Sequence, residues 1–152
     1  MRKTACTLLL LVAAALTAAP AGAQTVPTKA GLDACHTGAG PLDRYAVFSA
    51  QMGSLPQSTK MQVRFDLQVS AGGRKFRRVQ APGLGAWRSS VPGVDIFRYR
   101  KQVANLQAGA VYRALVRFRW LADSGKTVAS TSRKTKSCKQ PDVRPDHISL
   151  LG

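Results

Sequence analysis

The sequence predicts an all-β sandwich of about seven short strands with its ends tied by a disulfide. Three observations carry that expectation. Gly and Pro interrupt the chain roughly every 8–15 residues, too often for helices of useful length. The runs between them alternate apolar and polar residues with period two, the period at which side chains point to opposite faces of a sheet. Two cysteines, Cys35 and Cys138, flank the patterned region.

Arg44 to Met52 reads as a first strand, with Tyr45, Val47 and Ser49 sharing one face. Lys60 to Ala71 alternates most cleanly. Met61, Val63, Phe65, Leu67 and Val69 should point inward, and Gln62, Arg64, Asp66, Gln68 and Ser70 outward. Ala71-Gly72-Gly73 is a turn, and Lys75 to Gln80 opens the next strand with Phe76. Ala81 to Gly93 holds two Pro and three Gly around Trp87, which suggests a short edge strand framed by loops. In Val94 to Val103, Phe97, Tyr99 and Val103 share one face and Arg98 and Arg100 the other. Val111 to Leu121 should bury Tyr112, Ala114, Val116, Phe118 and Trp120 and expose Arg113, Arg117 and Arg119. Asp123-Ser124-Gly125 is a hairpin turn, and Lys126 to Cys138 returns as the last strand. Seven such strands fit an immunoglobulin-type sandwich.

One segment adds a resemblance. Leu106-Gln107-Ala108-Gly109-Ala110-Val111-Tyr112 resembles the L-x-P-G-T-x-Y stretch that joins the fifth and sixth strands of fibronectin type III domains. Leu106, Gly109 and Tyr112 match, while Ala108 and Ala110 stand where that family has Pro and Thr. The resemblance implies that Leu106 caps the core and that the Tyr112 hydroxyl bonds back to the loop backbone as a tyrosine corner. It is specific over residues 94 to 130. The second strand has Phe65 and Leu67 where the family has a tryptophan, and a terminal disulfide is not usual for it. The resemblance also implies a binding or adhesion module and not a reaction, although fold alone never fixes function.

The ends of the chain speak to compartment. Arg2 and Lys3 precede an apolar run from Leu8 to Ala19; Pro20 ends it, and Ala21-Gly22-Ala23 has the small-x-small pattern of a signal-peptidase site. That run is roughly a dozen residues against the about 20 that span a bilayer, so residues 1–23 read as a cleaved signal peptide and no membrane span is expected afterwards. Cys6 is expected to leave with it. Residues 24–34 read as an exposed leader, 35–140 as the sandwich and 141–152 as a surface tail. In an oxidising compartment Cys35 and Cys138 are expected to pair. The localisation expected is therefore secreted, extracellular or periplasmic.

Charge supplies the one functional lead. Cleavage would leave 21 of the 23 Lys and Arg against seven Asp and no Glu, a formal charge of +14. Such an excess attracts polyanions. If the sixth strand lies between the third and the last, Arg113, Arg117 and Arg119 should neighbour Lys75 and Arg77 on one side. Arg133, Lys134 and Lys136 should lie on the other, in a positive field about 15–20 Å across. The plainer reading of this face is a solvated surface that keeps the protein soluble.

Catalysis finds no such support. The only histidines, His36 and His147, have no zinc-ligand spacing with Cys35, and no nucleophile elbow, metalloprotease helix or phosphate-cradling loop is present. No cofactor or metal is expected. Trp120 falls on the inward phase of its strand, whereas Trp87 suits either the rim of the core or an aromatic anchor in a binding loop. The expected function is a non-enzymatic binding module for an anionic polymer or envelope component. The alternative is an accessory domain that docks on another exported protein through an edge strand or the loop around Trp87.

Overall fold

A computed structural model describes residues 27–142, and the proposed signal peptide, the first residues of the leader and most of the tail lie outside the described residues. Nine strands and one short 3-10 turn, Pro41–Asp43, make up the regular structure of the described residues. The strands are β1 Thr28–Thr37, β2 Arg44–Gly53, β3 Lys60–Ala71, β4 Arg77–Arg78, β5 Trp87–Ser89, β6 Ile96–Ala104, β7 Ala110–Leu121, β8 Thr127–Lys134 and β9 Cys138–Lys139. They form two sheets. The smaller has the order β1-β2-β6; the larger follows the path β4-β3-β7-β8, with β5 also on β3 and β9 on β7. Every pairing is antiparallel. The all-β sandwich expected from the sequence is therefore the fold.

The core lies between the sheets, built from alternate residues as the period-two pattern requires. Ala46, Phe48, Ala50 and Met52 of β2 face Met61, Val63, Phe65 and Leu67 of β3 and Ala114, Val116, Phe118 and Trp120 of β7. Trp120 is fully buried and its Nε1–H donates to the Gly53 carbonyl at 2.7 Å, so its one polar group is satisfied. Tyr45, Val47 and Ser49 share the outward side of β2.

Three expectations about strands need correction. Residues 28–34 are not a leader: they are most of β1, which pairs with β2 from Thr28↔Met52 to Thr37↔Arg44 and packs Ala30 and Leu32 against the core. The last strand is also split, because the chain leaves the β7 ladder after Lys134 and rejoins it at Cys138. In between, Thr135 is buried; its amide donates to the Ala114 carbonyl and its hydroxyl accepts from the Ala114 amide. These two changes raise the count from about seven to nine. The strand expected over 75–80 shrinks to Arg77–Arg78.

The Cys35–Cys138 disulfide is formed. It joins β1, at the edge of one sheet, to β9 in the other, and Gln140 beside it donates through Nε2 to the His36 carbonyl at 3.0 Å. Among the described residues no helix is long and apolar enough to cross a membrane.

Candidate anion-binding site

The outer face of the larger sheet gathers most of the charge chemistry, and the ladder between β3 and β7 sets its geometry. Residues directly opposite in an antiparallel pair share a face at Cβ separations of about 4.5–5.5 Å. The register places Gln62 opposite Arg119, Arg64 opposite Arg117 and Gln68 opposite Arg113. Arg113 and Arg119 bond the residue directly opposite, and Arg117 reaches diagonally to Asp66, which lies opposite Leu115. The Nε–H of Arg113 donates to Gln68 Oε1 at 2.8 Å, that of Arg117 to Asp66 Oδ2 at 2.8 Å, and that of Arg119 to Gln62 Oε1 at 2.5 Å. Gln62 in turn donates through Nε2 to Ser89 Oγ of β5 at 2.7 Å.

Asp66 is the hub of this face. The sequence pattern puts it on the outward phase, yet its side chain is only 3% exposed because three guanidinium groups cover it. Arg64 Nε lies 2.9 Å and Arg78 Nη2 3.0 Å from Oδ1, and Arg117 holds Oδ2. Burial pushes the carboxyl pKa up. Hydrogen bonds from Arg117 and Arg64 and the charges of Arg64 and Arg78 outweigh that and hold it below its ordinary value. The connection from β4 to β5 passes beside this cluster, where Gly85 has φ +75 and a Cβ would stand 2.7 Å from Arg78 Nη2. Only glycine both adopts that backbone and leaves room for the ion pair.

Two aromatic rings lie beneath the arginines. Arg113 stacks 3.7 Å from the centroid of Phe76, and Arg119 4.1 Å from that of Trp87. Trp87 therefore neither anchors a free loop nor caps the core. It sits in β5, half-buried, opposite Arg64, as the platform for Arg119. On the other flank, Ser132 lies opposite Arg117, Ser130 opposite Arg119 and Lys134 opposite Leu115. Trp87, Arg117, Arg119, Thr127, Ser130 and Ser132 line an open groove of about 570 Å³.

The expected basic cluster is thus rearranged. Arg113, Arg117, Arg119 and Lys134 share the outer face. Lys75 and Arg77 do not flank β7, because β3 lies between it and β4. Arg77 pairs with Val69 and Arg133 with Val116, so both take the opposite phase from the β7 arginines. Lys75 and Lys136 are exposed in connections outside the strands. Arg64, Arg78 and the stacked ring of Phe76 join the face in their place, and Lys60, opposite Leu121, and Lys139, opposite Val111, take the same phase towards its two ends.

No protein-family model matches the chain, and no curated protein matches it. The chain is similar to an X-ray structure described as a target of the Northeast Structural Genomics Consortium. The two share 12% identity with a TM-score of 0.36, over 80% of this chain and 91% of that one.

Elsewhere, Arg44 reaches across the end of the smaller sheet and donates through Nε to the Leu106 carbonyl at 2.7 Å. Leu106 is buried, and the Tyr112 hydroxyl accepts from the Gln107 amide at 2.9 Å. His36 stacks on Tyr45 with ring centroids 4.1 Å apart, and His147 lies outside the described residues. On the smaller sheet Asp33, the extra residue of a bulge in β1, accepts from Ser49 Oγ at 2.6 Å and pairs with Arg100 at 3.0 Å.

Proposed function

We propose that this protein is an exported, non-enzymatic binding module that engages anionic polymers through the arginine face of its larger sheet. One observation carries the reading. Arg113, Arg117 and Arg119 are each held by Nε to an acceptor on β3, and among the described residues no hydrogen bond to protein is made by their Nη atoms. A guanidinium fixed in this way presents its remaining N–H groups outward at no further ordering cost, which suits bidentate recognition of carboxylate, sulfate or phosphate.

We further assign the sandwich to the immunoglobulin-like, fibronectin type III-like class. The order β1-β2-β6 against β4-β3-β7-β8 and the bond from the Gln107 amide to Tyr112 support that assignment. The disulfide supports export, since such bonds persist in oxidising compartments.

Titration of the oxidised protein with heparin and duplex DNA at several salt concentrations tests the binding. Affinity should fall steeply with salt, and Arg113→Gln/Arg117→Gln/Arg119→Gln should shallow the log–log slope on duplex DNA by about three. A variant that binds as tightly, with the same slope, would return this face to the role of a solvated surface. The alternative, docking on another exported protein, rests on the outer edge of β8, which among the described residues ends its sheet unpaired and exposes Val128 at 41%. A partner retained at high salt would favour it.

A further inference from the structure

We infer that the ligand of the arginine face is an acidic glycan, held in the groove between Trp87 and β8; this rests on the reading of that face as an anion-binding surface. Carboxylate or sulfate groups along the glycan would meet the Nη atoms of Arg117 and Arg119. Two residues apart on β7, these side chains stand about 7 Å from each other. The serines are what single out a sugar. Ser132 lies directly across the ladder from Arg117 and Ser130 from Arg119, both exposed. On one flank, then, each of these arginines is fixed by β3, and on the other it faces a serine hydroxyl that bonds no other side chain or backbone group among the described residues and can both donate and accept. A row of forks on β7 beside a row of hydroxyls on β8 matches a chain that carries anionic groups along one edge and sugar hydroxyls along the other. The groove, at about 570 Å³, has the volume of an ordinary ligand site.

Nucleic acid fits this surface less well. Single strands are gripped by stacking bases on free aromatic faces, but here Arg119 lies over Trp87 and Arg113 over Phe76. Duplex readout needs a helix or ribbon that projects into a groove, and this face is the surface of a sheet.

The test uses the full oxidised protein with four probes: polygalacturonate, dextran sulfate, duplex DNA and an oligothymidylate. Two variants accompany it, Ser130→Ala/Ser132→Ala and Arg117→Lys/Arg119→Lys, the second keeping charge while removing the fork. Affinity for one or both glycans should fall about tenfold in each variant, equivalent to roughly one lost hydrogen bond per altered residue, while DNA binding moves less than about twofold in the serine variant. Which glycan responds tells carboxylate from sulfate. If both glycans and DNA bind and the serine variant leaves all of them unchanged, or lowers all alike, the glycan inference fails and the general anion-binding reading stands. If no polyanion binds, both fail.

Discussion

At the scale of single residues, the outer face is organised around a carboxylate that its neighbours remove from water. Asp66 would lose much by burial alone, and it stays ionised because Arg64, Arg78 and Arg117 converge on its two oxygens. Its pKa in the folded protein lies below the value of about 3.9 in an unfolded chain. It therefore contributes stability that is fully present above the unfolded value and is lost as pH falls through the folded one. Asp66→Asn is expected to lower stability by about 1–3 kcal/mol at neutral pH. The cost is less than for a fully buried pair, because Arg78 and Arg117 are each half exposed and regain water. Urea unfolding at several pH values should show the gap between wild type and variant closing below about pH 4. A gap that stays constant in acid would mean that the carboxylate charge is not its source. The same substitution should also loosen Arg117, coupling this residue to the binding surface.

At the scale of elements, the short strand β5 and the long strand β1 illustrate opposite kinds of support. β5 has three residues paired with β3 over Gln62 to Arg64 and flanked by backbone bonds from Gly85 to Phe65 and from Ser90 to Met61, and the side chain of Trp87 under Arg119 adds to that hold. Trp87→Ala should cost about 1 kcal/mol, the stacking contribution expected at a partly exposed site. Amide exchange should quicken in β5 while β3 and β7 stay protected; equal protection in the variant would show that the backbone ladder suffices. β1 is held along its whole length by β2. Its composition, Thr28-Lys29-Ala30-Gly31-Leu32-Asp33-Ala34, is poor in β-branched and aromatic residues, which is why the sequence reads as a leader. Strand formation there is imposed by β2, whose other edge is already taken by β6. A chain beginning at Cys35 should consequently lose several kcal/mol, through exposure of the core beneath Ala30 and Leu32. A melting temperature within a few degrees of the full protein's would show that β1 is dispensable.

At the scale of the whole molecule, the disulfide and the sandwich support each other. Cys35 and Cys138 are 103 residues apart and join one sheet to the other. Closing so long a loop stabilises by up to about 4.7 kcal/mol in the chain-entropy treatment. Cys35→Ala/Cys138→Ala is expected to cost about 2–5 kcal/mol in urea unfolding. A loss below about 1 kcal/mol would mean that the bridge restrains the unfolded chain little. The core explains why the fold was legible at all. Met61 through Val69 alternate apolar and polar residues throughout and Tyr112 through Trp120 do so except at Leu115, so inward and outward sets could be assigned before any pairing was known. The site was legible only in part: Arg113, Arg117 and Arg119 announce a basic face on one strand, but nothing local in the sequence reveals which elements flank it.

That division has one physical reason. Period-two alternation, turn residues and cysteine placement are local properties, and by themselves they determined an all-β chain, the inward residues of β3 and β7 and a bridge between Cys35 and Cys138. Phase and neighbourhood across strands depend on register, which partners set together. Tertiary structure alone decided that β3 separates β4 from β7, that Arg77 and Arg133 take the opposite phase, and that Trp87 supports an arginine. It alone buried Asp66 on the side that faces water, because the charges that shield it come from three different strands.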